Sequence, residues 1–251
     1  MPRWGVARNT TVEYRMARWF LRRLTALGCA IAVPGTLACG SSSRDESRSA
    51  EPERPRSSAP AVSDRARLSP NPRIVVLGDS LTAGLGIAPS EAYPALLQER
   101  IDGEGLKYEV VNAGVSGDTS AGGLRRLDWA LDGQVKVLIV ALGGNDGLRG
   151  LPVEELGHNL AAIIERARSR GIDVILAGME APTNFGSSYT TAFHQVYPDL
   201  ARRYQVALVP FLLEGVAGIE SLNQRDGIHP TPEGAKRIAD NVWTVLRPML
   251  R

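Results

Sequence analysis

The chain carries at positions 74–81 the stretch Ile74-Val75-Val76-Leu77-Gly78-Asp79-Ser80-Leu81. Its first four residues are a short apolar run rich in β-branched side chains, which is typical of a buried strand. The strand pattern ends at Gly78, and the residues from Leu81 to Gly84 can begin a helix. A buried strand that turns directly into a helix is characteristic of α/β proteins.

Four more apolar runs follow, and each is separated from the next by a segment with helical spacing. The predicted later strands are Tyr108–Val111, Val137–Leu142, Val174–Ala177 and Val206–Val209. The predicted helices are Glu91–Ile101, Thr119–Leu131, Val153–Ser169, Ser187–Tyr204 and Pro232–Leu246. Apolar strands that alternate with helices predict a parallel sheet covered on both faces. We therefore expect an α/β fold over residues 73–251, a three-layer α/β/α domain with a five-stranded parallel sheet.

The first 39 residues have the pattern of an export signal. Arg15, Arg18, Arg22 and Arg23 lie within ten residues before an apolar run over residues 24–38, which Pro34-Gly35 interrupts. A positive segment before a short apolar segment is typical of a secretory signal peptide, and this run is short for a membrane span. We predict an exported protein of the periplasm or the cell envelope.

Cys39 ends the stretch Thr36-Leu37-Ala38-Cys39, which resembles a bacterial lipobox with a threonine where an aliphatic residue is usual. In a lipobox the cysteine is lipidated, so we predict that Cys39 anchors the protein in a membrane; a simply cleaved signal is the alternative. Residues 40–72 are rich in Ser, Arg, Glu and Pro and have almost no large apolar residues. We predict that they form a disordered polar tether.

Charge and cysteine content exclude several classes of function. The chain has 29 Lys and Arg residues and 27 Asp and Glu residues, but residues 1–39 hold six of the arginines and one of the glutamates. The remaining 23 basic and 26 acidic residues give an acidic body, which argues against nucleic acid as a partner. Cys29 and Cys39 are the only cysteines, so residues 40–251 have no disulfide, cysteine nucleophile or cysteine-bound zinc. We predict neither a metal nor an organic cofactor.

Polar and glycine-rich stretches follow the first three predicted strands. They are Gly78-Asp79-Ser80, Asn112-Ala113-Gly114 and Gly143-Gly144-Asn145-Asp146. The carboxyl ends of parallel strands meet at one edge of a sheet, where ligands bind in open α/β folds. We therefore expect the three stretches to meet at one site.

Ser80, His229 and Asp226 are the candidate catalytic residues. A serine at a strand-to-helix turn exposes its hydroxyl at the sheet edge, although such a serine can also simply cap the helix. Serine needs a neighbouring base to become a nucleophile, and Asp226 lies three residues before His229, where it can orient the imidazole. His158 and His194 lie in predicted helices without such a partner, so we interpret them as ordinary helix residues.

Gly114 and Asn145 are the candidate oxyanion-hole residues beside Ser80. A glycine allows the close approach of a backbone N–H, and an asparagine amide is a neutral donor; taken alone, they could be a turn residue and a helix cap. Asp79 and Asp146 are interpreted as acceptors that brace the loops, because no histidine–carboxylate cluster lies near them in the sequence.

These stretches resemble the SGNH, or GDSL, hydrolase family, and are most similar to its branch of bacterial periplasmic acyl-CoA thioesterases, arylesterases and lysophospholipases. The matching stretches are Leu77–Gly84, Val111–Ser120, Leu142–Gly150 and Asp226–Pro230. The resemblance implies a flavodoxin-like fold, with Ser80 as nucleophile, His229 as base and Asp226 as orienting acid. It also implies an oxyanion hole made by the N–H groups of Ser80 and Gly114 and by the Asn145 side chain.

We therefore predict a serine esterase that hydrolyses aryl esters and short- to medium-chain acyl esters through an acyl-enzyme. Lysophospholipids and thioesters are further candidate substrates, so the partner is a small-molecule or lipid ester. Loops Gly147–Leu151 and Met179–Tyr189 follow the third and fourth strands and are the predicted walls of the acyl groove. The alternatives are a carbohydrate O-acetylesterase and a non-catalytic surface lipoprotein that binds lipid or glycan.

Overall fold

Five parallel strands form one sheet in the part of the chain that the computed structural model describes, residues 71–251. The strands are β1 Arg73–Gly78, β2 Glu109–Gly114, β3 Val135–Ala141, β4 Asp173–Ala177 and β5 Ala207–Val209. Their order in the sheet is β2-β1-β3-β4-β5, the doubly wound order of flavodoxin-like folds. The predicted signal, its Cys39 and the predicted tether as far as residue 70 lie outside the described residues.

Eight α-helices connect or follow the strands in the described part of the chain. They are α1 Ser80–Ala83, α2 Tyr93–Gly103, α3 Ser120–Arg125, α4 Leu127–Ala130, α5 Gly144–Leu148, α6 Val153–Ser169, α7 Ser187–Tyr204 and α8 Pro232–Leu246. Helices α2 and α8 pack together in one layer, and α3, α6 and α7 lie side by side in the other. The predicted three-layer α/β/α fold with a five-stranded parallel sheet is confirmed.

The core lies on both faces of the two central strands. Residues Ile74–Leu77 of β1 and Val137–Ala141 of β3 are each at most 2% exposed. Strands buried on both faces are apolar without alternation, which explains the continuous Val, Ile and Leu runs of the sequence. The edge strand β2 is only partly buried along most of its length.

The helix predicted over Thr119–Leu131 differs from the structure, which has two short helices there. The backbone leaves the helix at Arg126, where φ is −102° and ψ is 8°. The helices α6, α7 and α8 begin and end at the predicted residues. The helix α5 was not predicted, because Gly144-Asn145-Asp146-Gly147 is a poor helix former.

The ends of β1, β2 and β3 lie next to each other through the strand register. Gly78 pairs with Gly114 of β2 on one side and with Ala141 of β3 on the other. The residues that follow these positions therefore leave the sheet at one edge, as the sequence predicted. The loop that contains Asp226 and His229 lies between β5 and α8.

Candidate active site

Ser80, His229 and Asp226 form a continuous chain of hydrogen bonds. The Nε2 atom of His229 lies 2.9 Å from Ser80 Oγ, and its Nδ1 atom lies 2.6 Å from Asp226 Oδ2. Serine and histidine are 149 residues apart in sequence, so only the fold brings them together. A serine whose hydroxyl contacts an imidazole that is itself oriented by a carboxylate is arranged as a nucleophile with its base.

Ser80 is the first residue of α1, with only Asp79 between it and the end of β1. Asp79 caps this helix, because its Oδ1 accepts the backbone N–H of Leu81 at 3.0 Å. The N–H of Ser80 itself has no hydrogen-bond acceptor among the described residues. Ser80 therefore offers both a hydroxyl directed at His229 and an open backbone donor.

Asp226 is held as an ionised carboxylate by hydrogen bonds. Its Oδ1 accepts the backbone N–H groups of Ile228 at 2.9 Å and His229 at 3.0 Å, while Oδ2 faces the His229 ring. Partial burial opposes ionisation, but the hydrogen bonds from the His229 ring and the two backbone amides outweigh it and lower the pKa of Asp226 to about 2. The carboxylate is thus charged at neutral pH and can stabilise a protonated His229.

Two residues that the sequence did not single out fix the loop of His229. The side-chain amide of Gln224 donates to the carbonyls of Leu85 at 2.7 Å and Pro230 at 2.9 Å, and its backbone N–H donates to His229 O at 2.7 Å. The buried Asn223 donates through Nδ2 to the carbonyls of Val216 and Ile219. Gln224 therefore joins the His229 loop to the segment that follows Ser80.

Asn145 lies in α5 at the end of β3, with its amide toward the other two loops. Its Nδ2 donates to Asp118 O at 2.9 Å and lies 3.4 Å from Asp79 Oδ2. The distance to Asp79 Oδ2 is long for a hydrogen bond, so the N–H of Asn145 that faces Asp79 is weakly held and can turn toward a substrate oxygen. Gly143, which precedes α5, has a φ of 114° and leaves no room for a Cβ beside Tyr197 Oη, so this turn requires glycine.

Gly114 requires a correction to its predicted role as an oxyanion donor. Its N–H donates to Asn112 Oδ1 at 3.0 Å and is therefore already engaged. A Cβ at this position would lie 2.3 Å from the backbone N of Ala83, so the glycine is explained by the close packing of β2 against α1. The same Asn112 donates through Nδ2 to Thr82 O, and so joins β2 to α1 a second time.

Gly117, three residues further along, has a backbone N–H with no acceptor among the described residues. Gly117 has a φ of 84° in a turn that the bond from Asp118 N to Val115 O closes. The following residue, Asp118, accepts the Asn145 amide through its carbonyl. Gly117 therefore lies beside Asn145, with an open donor that the sequence analysis missed. The Asn112-to-Gly114 spacing, typical of an Asx turn, was the signal that could have distinguished the two glycines.

Asp79 and Asp146 are buried acceptors that brace the loops, in agreement with their interpretation from sequence. They are 2% and 3% exposed. Asp146 accepts the backbone N–H of Ser120 at 2.8 Å and its hydroxyl at 2.6 Å, which joins α5 to α3. Burial raises the pKa of Asp79 to about 6, although the Leu81 amide, the nearby His229 and the Asn145 amide act in the opposite direction.

We expect the Asp79→Asn substitution to change how stability depends on pH. The pKa of Asp79 in the fold is about 6 against 3.8 for an ordinary aspartate, so the folded state binds this proton more tightly. The protonated side chain therefore stabilises the fold fully at pH values below its ordinary pKa, and this stabilisation is lost as the pH rises through 6. The free energy of unfolding of the variant, minus that of the unsubstituted protein, should increase by about 2 kcal/mol from pH 4 to pH 7. Urea denaturation of both proteins across this range measures it, and a constant difference would contradict the raised pKa.

The prediction that His194 has no carboxylate partner is wrong. Its Nδ1 lies 2.5 Å from Glu180 Oε1, in the loop after β4. The pair is exposed, and no serine or threonine side chain bonds to the second nitrogen of His194 among the described residues. His158 lies exposed in α6. The His194–Glu180 pair lacks the nucleophile that accompanies His229.

The two segments predicted as groove walls contact each other. The ring of Phe185 lies against Gly150, where a Cβ would be 2.5 Å from Phe185 Cε1, and Tyr189 Oη donates to Leu151 O at 2.8 Å. The rings of Phe185 and Tyr189 are 5.3 Å apart. The loops after β3 and β4 thus form one surface beside Asn145.

This combination of a doubly wound sheet and a Ser–His–Asp chain at its carboxyl edge defines a serine hydrolase of the α/β/α type. The chain belongs to the GDSL-like lipase/acylhydrolase family, whose model matches residues 76–237. The resemblance noted from the four sequence stretches is thereby confirmed.

Named relatives agree with this family. The chain is similar to Esterase TesA of Pseudomonas aeruginosa, with 48% identity over 70% of this chain and 89% of the relative. It is also similar to Thioesterase 1/protease 1/lysophospholipase L1 of Escherichia coli strain K12, with 39% identity over 70% and 84% of the two chains. A crystal structure of TesA matches with a TM-score of 0.69 and 46% identity, covering 71% of this chain and 99% of the other.

Proposed function

We propose that the protein is a serine esterase that hydrolyses carboxylic esters through an acyl-enzyme on Ser80. The observation that carries the proposal is the hydrogen-bonded chain from Asp226 through His229 to Ser80 Oγ. Family membership and relatives named as an esterase and as a thioesterase and lysophospholipase support it. The substrate is a small-molecule ester, and lipid esters and thioesters are candidates within that class.

In the first step, Ser80 Oγ attacks the ester carbonyl while His229 Nε2 takes the serine proton. Asp226 keeps the other ring proton on Nδ1 and stabilises the imidazolium that forms. As the tetrahedral intermediate collapses, His229 gives the proton to the departing alcohol, and the acyl group remains on Ser80. A water molecule then attacks the acyl-enzyme with His229 as base, which releases the carboxylic acid and restores Ser80.

The developing negative charge on the carbonyl oxygen needs donors at the sheet edge. We assign this role to the N–H of Ser80, the N–H of Gly117 and the side-chain amide of Asn145. The first two have no acceptor among the described residues, and the third has one weakly engaged N–H. One such donor is typically worth about 3 kcal/mol of barrier.

Exposed apolar side chains around the site support an apolar acyl group as the preferred substrate. Six large apolar residues are at least 40% exposed in the described part of the chain, and five of them come within ten residues of the carboxyl end of a strand, one after each of β1 to β5. We call these five the apolar rim: Leu85, Val115, Leu148, Phe185 and Ile219. The apolar rim fits a hydrocarbon chain better than a sugar, because contact with hydrocarbon removes apolar surface from water.

The experiment that tests the proposal is hydrolysis of p-nitrophenyl esters from acetate to laurate by the purified full chain, beside release of acetate from acetylated polysaccharides. We expect turnover of the esters, with kcat/KM higher for acyl chains longer than acetate. Faster release of acetate from the polysaccharides would favour the O-acetylesterase alternative. A folded protein without turnover of any ester would favour the non-catalytic alternative.

We expect Phe185→Ala to lower kcat/KM for the longer acyl esters by about tenfold and to leave that for the acetate nearly unchanged. The reason is that Phe185 is 40% exposed and joins the two groove walls, so its ring offers apolar surface to a long acyl chain, which extends further from Ser80 than a two-carbon acyl group does. Kinetics across the p-nitrophenyl ester series measure the effect.

Trp129→Ala is the matched control for this substitution. Trp129 is the sixth exposed apolar residue, lies fifteen residues after the end of β2, and lines a surface hollow with Arg73 and Asp132. We expect it to leave the chain-length profile unchanged. The assignment of the groove fails if Phe185→Ala and Trp129→Ala change the profile to the same extent.

We also propose that the protein is exported and held at a membrane by a lipid on Cys39. The support is the arginine-rich and apolar pattern of the first 39 residues and the stretch that resembles a lipobox. Within residues 71–251, no helix combines the length and apolar character that crossing a membrane requires.

A further inference from the structure

Arg126 makes three hydrogen bonds that join three separate segments behind the site. Its Nε donates to Asp118 Oδ2 at 2.6 Å, its Nη1 to Ala113 O at 2.7 Å and its Nη2 to Gly78 O at 2.8 Å. The side chains of Arg126 and Asp118 are each 17% exposed, the least exposed arginine–carboxylate pair within residues 71–251. Arg126 itself stands at the break between α3 and α4.

Two of the three acceptors lie within two residues of a proposed oxyanion donor, and the third lies near the end of the strand that precedes one. Gly78 precedes Ser80 by two residues, at the end of β1. Asp118 directly follows Gly117 and accepts the Asn145 amide through its backbone carbonyl. The third acceptor, Ala113 O, fixes the end of β2, from which the Gly117 turn departs.

We propose that Arg126 is a positioning residue for the oxyanion hole, setting the distances among the Ser80, Gly117 and Asn145 donors. The inference rests on the proposed esterase function. The ends of β1 and β2 are already joined, because Gly78 O accepts the N–H of Val115 at 3.0 Å. The planar guanidinium adds donors in several directions, so it ties both strand ends to Asp118 as well. The guanidinium does this from behind the donors, without contact with the substrate.

The break of the helix at Arg126 fits this role. A helix continued over 119–131, as the sequence predicted, would carry Arg126 in helical geometry. Instead the backbone leaves the helix at this residue, with ψ near 8°. The side chain there donates to carbonyls 13 and 48 residues away in sequence. Two of its three bonds are therefore to backbone atoms of the strands that carry the site.

The test compares Arg126→Ala and Arg126→Lys with Arg125→Ala in the full chain. Arg125 is the exposed neighbour on α3 and lies outside the proposed machinery. Because loosened donors stabilise the transition state less but leave substrate binding intact, we expect Arg126→Ala to lower kcat by about 30-fold with little change in KM. The lysine variant keeps one charge but cannot span three acceptors, so we expect an intermediate loss, and methylguanidinium should restore part of the activity of the alanine variant.

A second readout does not depend on finding the right ester. The rate at which a fluorophosphonate reagent labels Ser80 requires the same oxyanion donors, and we expect it to fall in Arg126→Ala in proportion to kcat. Folded variants are identified by circular dichroism and thermal melting. If Arg126→Ala does not fold, kcat, KM and the labelling rate are compared between Arg126→Lys and the unsubstituted protein instead.

The outcomes separate this inference from the proposed function. If a folded Arg126 variant has a normal labelling rate and a normal kcat, the positioning role is overturned and the proposed esterase function is unaffected. The positioning role is also overturned if methylguanidinium does not restore any of the lost kcat, if KM changes as much as kcat, or if Arg125→Ala loses as much activity. Each of these results would indicate a general loss of structure. An unsubstituted protein that neither hydrolyses esters nor labels at Ser80 overturns the proposed function and this inference with it.

Discussion

Ser80→Ala should lower kcat toward p-nitrophenyl esters by about five to six orders of magnitude, the loss that follows removal of a triad nucleophile. The hydroxyl that we propose forms the acyl-enzyme is 2.9 Å from His229 Nε2, and within residues 71–251 no other serine hydroxyl contacts that nitrogen. The backbone N–H of Ser80 and the Asp79 cap of α1 are kept in the variant, because neither uses the serine hydroxyl. The fold should therefore be unchanged, and the loss should be one of chemistry alone.

A matched control and a double variant sharpen this expectation. Ser90→Ala changes an exposed serine in the short 3-10 helix Pro89–Glu91 and should leave kcat unchanged. Combining Ser80→Ala with His229→Ala should cost little more than Ser80→Ala alone, because the two side chains act as one unit. If Ser80→Ala hydrolyses esters faster than a mock purification from cells without the protein, ester hydrolysis takes place elsewhere on the chain.

Local sequence determined most of the fold. Helix α8 begins at the predicted Pro232 because Thr231 accepts from the N–H of Gly234 and proline suits the first helical turn. The central strands could be recognised because burial on both faces leaves continuous apolar runs such as Val137–Leu142. The meeting of Ser80 and Asn145 followed from parallel order alone, since both follow the carboxyl ends of neighbouring strands.

The parts that could not be predicted depend on contacts between distant segments. A helix that local spacing would continue ends at Arg126, and the side chain of Arg126 bonds there to the distant residues Gly78 and Ala113. Glu180 and His194 are 14 residues apart, in a loop and a helix, so their pairing depends on how α7 docks. Gly114 and Gly117 have the same side chain, and only the partner of each N–H distinguishes their roles.

Asp226→Asn should lower kcat by about four orders of magnitude while the protein stays folded. Oδ1 can still accept from the backbone N–H groups of Ile228 and His229, so the loop keeps its shape. At Oδ2, however, an amide nitrogen would donate to His229 Nδ1 and place the ring proton on Nε2. A protonated Nε2 cannot accept the proton of Ser80, so the nucleophile is not activated. Because the pKa of Asp226 is about 2, the unsubstituted carboxylate is ionised throughout the pH range of an ordinary esterase assay.

The other histidine–carboxylate pair within residues 71–251, His194 with Glu180, provides the control for Asp226→Asn. Glu180→Gln makes the same replacement of a carboxylate by an amide beside His194 and should leave kcat unchanged, because no nucleophile accompanies that imidazole. The two variants together separate a requirement for the His229 tautomer from a general effect of removing a negative charge near the sheet edge. Equal losses in both variants would mean that charge, and not the orientation of His229, is what Asp226 contributes. A large loss in Asp226→Asn alone would assign the orienting role to Asp226 and the basic role to His229.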